Sequence, residues 1–179
     1  MAIERSAQSK LSLREYQLAL SERLQSAQAG TRVPSKLGLR VGGEAWLVDL
    51  TEAGEVLPVP PIAPVPLAQP WFKGVANVRG NLYSVTDLAA FVGGPSVKLS
   101  EQARLLIIAE RFRIGAALLV ERSLGLRHAD GLTPEPAAAI QPAVIPWVRA
   151  QYTDADGLAW KELDIAGLVQ NEAFLEVSV

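Results

Sequence analysis

WFKGVANVRGNLYSVTDLAAFV, residues 71–92, decides how the rest of the chain is read. Its apolar positions run into Arg79-Gly80-Asn81, a tight-turn signal, and then into a second apolar run. This predicts a strand, a turn, a second strand and a short helix opening near Asp87, where a carboxylate can accept from free backbone N–H groups and suits the helix dipole. The stretch has an echo. Pro70–Lys73 (PWFK) returns as Pro146–Arg149 (PWVR), Gly80 as Gly157, and Asp87–Val92 (DLAAFV) as Asp164–Val169 (DIAGLV). One residue is inserted between the first anchor and the other two. Similarity at so long a period predicts a duplicated subdomain and argues against a solenoid.

Working outward, the 179 residues suffice for one domain or for two small subdomains that share a core. Lys and Arg are scattered and the net charge is −2. That argues against a nucleic-acid surface, which needs clustered cations to displace phosphate counterions. There are no cysteines, so disulfides, thiolate catalysis and Cys-ligated zinc are excluded. No apolar run is long enough to span or insert into a membrane. The N-terminal MAIERSAQSK lacks a signal peptide's apolar core, so a cytoplasmic protein is expected.

Residues 1–33 read as a helical extension. Ser12 and Glu15 fit a capping box, Leu13, Tyr16, Leu20 and Leu24 recur at helical spacing, and Gly30 can end the helix. Its apolar stripe would pack on the host domain or serve as a partner-binding arm. From residue 34 to 179 the signals are mainly β. Leu37, Leu39 and Val41 alternate with Lys36, Gly38 and Arg40 before Gly42-Gly43, a hairpin-type turn. Return strands are expected at Trp46–Leu50 and Glu55–Val59. Recurrent prolines from Pro58 to Pro70 then predict an extended connector, because proline supplies no ladder N–H. Arg104–Ala109 and Phe112–Arg122 read as strands around Glu110-Arg111, residues 127–143 as a loop, Val144–Tyr152 and Leu158–Lys161 as a second hairpin, and Ala173–Val179 as a closing strand. Many short strands with regular turn signals favour small barrels, which remove their edges.

Catalytic constellations are missing. His128 is the only histidine, so no histidine pair can ligate a metal, and a lone loop histidine reads as solvent-exposed. No nucleophile elbow and no Gly-rich phosphate loop occur. Asp154 and Asp156 before Gly157 fit turn chemistry better than a calcium loop, whose remaining ligands are absent. No catalytic residue, metal or cofactor is expected. Arg79 is held on a short rigid turn, where a guanidinium can make forked hydrogen bonds to a carboxylate or to backbone carbonyls.

These segments resemble the CheW-like family of chemotaxis adaptors. Gly74–Gly80 (GVANVRG) followed by Val85–Leu88 (VTDL) is similar to the family signature G-V-I-N-L-R-G and P-V-x-D-L, with Ser84 in place of the proline. Glu55–Pro58 resembles the R-E-V-L segment. Ile114–Glu121 resembles the V-G-L-L-V-D strand, with Glu121 in place of Asp. The second half keeps Asp164-Ile165 but has Ala150-Gln151 where Gly-Val is usual. Within the family, the N-terminal helix, the chain length and the wording of residues 71–88 are most similar to the branch serving pilus-linked, twitching-motility chemosensory systems. The resemblance implies two five-stranded SH3-like β-barrels around a shared core. It implies a non-enzymatic scaffold joining the regulatory domain of a CheA-type histidine kinase to the cytoplasmic tip of a chemoreceptor, peripheral to membrane receptor arrays, with scope for ring-type assembly with the kinase domain. By motif position, Glu55, Gly74, Arg79 and Gly80 would face receptor and kinase, and Gly115 and Val120 would lie on the family's other signature strand. Two alternatives remain at this point. One is a small-molecule-sensing β-barrel with Trp46, Trp71 and Trp160 lining its cavity; the other is a CheW-like competitor that decouples the kinase.

Overall fold

The computed structural model describes residues 35–136 and 146–179. The expected N-terminal helix lies outside the described residues. Twelve strands follow in order: β1 (Ser35–Val41), β2 (Glu44–Asp49), β3 (Ala53–Pro58), β4 (Ile62–Ala63), β5 (Phe72–Val78), β6 (Asn81–Asp87), β7 (Arg104–Ile108), β8 (Ala116–Val120), β9 (Arg122–His128), β10 (Leu132–Pro134), β11 (Val148–Asp154) and β12 (Ala159–Leu163). Three one-turn helices accompany them: α1 (Leu88–Phe91), α2 (Ile165–Leu168) and α3 (Glu172–Leu175).

The strands form two sheets. Sheet A runs β10-β11-β12-β2-β1-β9 and sheet B runs β4-β5-β6-β8-β7-β3. Each sheet has one strand more than the family resemblance implies, and each includes a strand of two or three residues, β4 or β10. The two orders are the same pattern. β5, β6 and α1 in sheet B match β11, β12 and α2 in sheet A, and β6 joins β8 in parallel as β12 joins β2. The duplication read from the sequence is therefore structural, with a permutation. Sheet B uses β3 to β8 in chain order, whereas sheet A takes β9 to β12 and completes itself with β1 and β2 from the other end of the chain.

Local chemistry fixes the turns. Gly42 and Gly43 have φ of +59° and +79°, the left-handed pair that a two-residue hairpin between β1 and β2 requires. Asp87 caps α1 by accepting from the Ala90 N–H, and Asp164 caps α2 by accepting from the Gly167 N–H. In both repeats the aspartate's own N–H donates to the carbonyl of the repeat's tryptophan, Trp71 or Trp147. Both first strands carry a bulge at the same place, between Phe72 and Gly74 and between Val148 and Ala150. The bulge points a cation, Lys73 or Arg149, at the capping aspartate.

One apolar core spans both sheets. It takes Leu39, Val41 and Val48 from sheet A, Val85, Leu105 and Leu118 from sheet B, and Ile165, Leu168 and Phe174 from the helices. Ala45, Leu47, Leu132 and Trp160 form a smaller cluster inside sheet A. Trp46 and Trp160 are wholly buried, so they fill the core and line no open cavity.

Three expectations are corrected. The residues read as a loop after 127 contain the end of β9 and all of β10, so His128 ends a strand; it is exposed, as expected. The strand expected over 173–179 is instead the helical turn α3 followed by a single bridge between Ala68 and Ser178. Asn171 caps that turn by accepting from the Ala173 N–H, and the turn buries Phe174 against Trp71 and Phe91. The proline-rich connector is interrupted by β4, where Ile62 and Ala63 pair with Ala76 and Val75.

Candidate functional site

The β5–β6 hairpin closes through Arg79 and Gly80, whose φ values are +52° and +89°. Both lie in the left-handed region, as a two-residue turn of this hand needs. Gly80 takes that conformation freely. Arg79 does so at a cost of about 1–2 kcal/mol, because its Cβ crowds the following carbonyl. The Asn77 side-chain oxygen accepts from the Gly80 N–H at 2.9 Å and fixes the turn.

Held this way, the Arg79 guanidinium makes a forked pair with Glu55. Nη1 donates to Oε2 at 2.9 Å and Nη2 to Oε1 at 2.6 Å. Glu55 sits on β3 at an irregularity in its pairing with β7, between Ala53 and Val56, which turns its side chain toward Arg79. The side chains are 76% and 43% exposed. An ion pair so open to water contributes about 1 kcal/mol or less to stability. Its geometric effect is larger: it presents a rigid, planar polar surface at the rim of sheet B.

Behind the pair lies a recess of about 310 Å³ floored by Val78, Ile107 and Ile108. A second recess of about 430 Å³ shares Asn81, Tyr83, Ile108 and Glu110 with it and continues to Gly115. The two form one groove across sheet B, with Leu82 standing 68% exposed at its side. Its far lip is the turn before β8, where Arg113 also adopts a left-handed conformation, with φ of +53°. Two arginines in strained conformations thus bracket one groove.

The structure brings Glu55, Arg79 and Gly115 to this groove, and Gly80 sits in the turn between its lining residues Arg79 and Asn81. It places Gly74 and Val120 elsewhere. Val120 is fully buried at the end of β8, and Gly74 is buried under β4, where a Cβ would overlap the Ala63 carbonyl. Tyr83, Glu110 and Arg113 complete the groove and had no local sequence signal, because they come from separate segments that only the sheet brings together. The equivalent turn in sheet A has Asp156-Gly157 where sheet B has Arg79-Gly80. That turn has its own use: Asp154 accepts from the Asp156 and Leu158 N–H groups and from the Trp160 indole. These hydrogen bonds, the one from Trp160 foremost, hold the Asp154 carboxyl below its ordinary range. Among the described residues, the arginine at this turn and its forked ion pair therefore belong to one half of the duplication.

The arrangement offers contact chemistry: one forked ion pair, an apolar floor and a mixed rim. Among the described residues, no group of three or more His, Cys, Asp or Glu side chains could hold a metal, and no helix is long and apolar enough to cross a membrane.

Comparison with known proteins gives a consistent picture. Residues 36–173 match the CheW-like domain family. Protein PilI of Pseudomonas aeruginosa is 31% identical over 161 residues, which are 89% of each chain. A crystal structure of the scaffolding protein TtCheW from Thermoanaerobacter tengcongensis superposes with a TM-score of 0.60 at 18% identity, covering 73% of this chain and 88% of that one.

Proposed function

The chain belongs to the CheW-like family, and from that premise we propose that it is a non-enzymatic signalling adaptor. It couples the cytoplasmic tip of a chemoreceptor to the regulatory domain of a CheA-type histidine kinase, in the chemosensory system that controls type IV pili and twitching motility. The similarity to PilI supports the pilus assignment. The observation that carries the reading is the Glu55–Arg79 fork on the lip of the sheet B groove. A receptor tip is a helical hairpin, and a groove with an apolar floor takes the apolar face of a helix while a fixed guanidinium meets its polar flank. Signal passes as a change in the geometry or stability of the complex, so no chemistry is asked of this chain. In this reading Gly74 acts through the backbone it shapes and Val120 through its packing in the core, while Gly80 and Gly115 leave room at the rim.

The test is binding of the full chain to the kinase regulatory domain, with and without a receptor-tip fragment. Arg79→Glu puts like charge against Glu55 and should weaken one or both associations by about 1–3 kcal/mol, the range for a lost charge-assisted contact. Undiminished binding of both partners by a folded Arg79→Glu protein removes Arg79 from the surface. Kinase binding that excludes the receptor fragment would replace coupling by competition.

A further inference from the structure

On sheet A the acidic balance of the chain is locally reversed. Arg40 on β1 and Arg122 on β9 are direct register partners across the antiparallel ladder. Like charges placed opposite one another in this way repel and weaken the sheet. Both line an open cleft of about 580 Å³, together with Lys98, Ser100 and Gln102 from the segment that follows α1.

None of the three cations has a carboxylate within ion-pairing distance among the described residues; Arg104, Arg113 and Arg127 also have none, whereas Lys36, Lys73, Arg79, Arg111, Arg149 and Lys161 do. Arg40 donates Nη1 to the Gly43 carbonyl at 2.8 Å. Glu121, the one carboxylate lining this cleft, accepts from the Gly43 N–H at 3.1 Å. Protection of a sheet edge accounts for a charge on β9, an edge strand. It does not account for Arg40, since β1 lies between β2 and β9, nor for Lys98, which lies outside the sheets.

The distribution of the cations indicates the ligand. Arg40 and Arg122 are cross-strand neighbours, and Lys98 comes from a third segment of the open cleft. A single phosphate is better served by convergent backbone N–H groups in a tight loop, whereas side-chain cations carried on three segments of an open cleft suit several carboxylates of one chain. We propose that this cleft docks an acidic, carboxylate-rich segment of a protein partner, with Arg40, Lys98 and Arg122 as its anchors. The surface is distinct from the Glu55–Arg79 groove and the proposal does not rest on the adaptor reading.

The experiment is a titration of the isotope-labelled full chain with a decaglutamate peptide, followed by amide chemical shifts. Saturable shifts are expected at Arg40, Gly43, Lys98, Gln102 and Arg122, weakening as salt is added. A decalysine peptide and inorganic phosphate should leave those amides unmoved. Arg122→Glu should weaken decaglutamate binding by about tenfold or more and, by placing opposite charges across the ladder, raise the melting temperature. Lys98→Glu, outside the sheets, should weaken binding without altering the fold. Shifts centred elsewhere, or binding unaffected by both reversals, overturn the proposal. Phosphate reproducing the same saturable shifts would make this a small-anion site and overturn it equally.

Discussion

At Gly74 the backbone takes φ of +123°, where an L side chain is strained, and a Cβ would overlap the Ala63 carbonyl. The residue lies at the bulge of β5, beneath the point where β4 pairs with that strand. Its smallness serves the chain's own connector before any partner. Gly74→Ala should therefore cost about 2–4 kcal/mol through strain and displacement of β4. Denaturant unfolding measures this, and wild-type stability would mean that β4 can move aside without loss. Arg79 presents the opposite case. It holds a strained conformation without glycine, and its ion pair is too exposed to offset much of that strain. A residue kept against its backbone preference is a functional candidate. Part of this is legible in the residues themselves: a guanidinium on a rigid turn forks onto a carboxylate or carbonyls. Which carboxylate is not legible there, because Glu55 comes from another strand.

Among the elements, the two repeats keep one device and use it differently. Lys73 approaches Asp87 at 3.4 Å, while Asp87 also accepts from Ser96 Oγ and from the Val97 and Ala90 N–H groups. Arg149 instead hydrogen-bonds two carboxylates, Asp164 at 2.7 Å and the buried Glu52 at 2.6 Å, and approaches a third, Glu162, at 3.7 Å. Glu52 sits where the chain crosses from sheet A to sheet B, and its other oxygen accepts from the Ile165 N–H. Arg149→Met would leave Glu52 buried with weakened compensation and should cost about 3 kcal/mol. Lys73→Met should cost about 1 kcal/mol or less, since Asp87 keeps three donors. Near-equal losses in thermal melts would refute this asymmetry. The pair also contributes to the acid limb. Burial raises the Asp164 pKa, but hydrogen bonds from Arg149 and the Gly167 N–H outweigh it, so its carboxyl titrates below the ordinary range. The hydrogen bonds to Glu52 and Asp164 likewise hold the Arg149 pKa above its usual value. Below about pH 4 the unfolded chain takes up the Asp164 proton first, so this contribution is whole above that pH and is lost as pH falls. In Arg149→Met that share of the acid limb should disappear from pH-dependent melts. Legibility followed local chemistry. The hairpins and caps were readable because Gly42-Gly43, Arg79-Gly80, Asp87 and Asp164 act within a few residues. β9 is scarcely legible: the expected strand over Phe112–Arg122 reaches only its first residue and the expected loop takes its last two, since most of its residues are exposed and it lacks a clean alternation. The segment 173–179 misled because its spaced apolar residues imitate a strand, while Asn171 and the burial of Phe174 enforce a turn.

The whole molecule follows from the permutation. Sheet A cannot close until β1 and β2 meet β9 to β12, and sheet B is made from all the chain between them. The parallel pairing of Trp160 with Ala45 and Lys161 with Trp46 joins the two distant parts of sheet A. The chain crosses between sheets at Glu52 and again at Glu121, whose N–H donates to the Arg40 carbonyl. Phe91 of α1 then packs on the opening tryptophan of both repeats, 5.0 Å from Trp71 and 4.7 Å from Trp147 between ring centres, and on Phe174 at 5.5 Å. The duplicated motif was visible in the sequence, but the exchange of strands was not, because β1 and β2 carry no echo of β7 and β8 strong enough to read. The physical consequence is that the main apolar cluster draws on both sheets, so losing sheet A strips cover from sheet B. Unfolding should therefore be one transition, with the calorimetric and van't Hoff enthalpies equal and with the near-ultraviolet signal of the buried tryptophans lost together with the far-ultraviolet signal of the strands. Two resolved transitions, or tryptophan signals that disappear before the strands do, would mean that the sheets are separable units and that the shared core does not couple them.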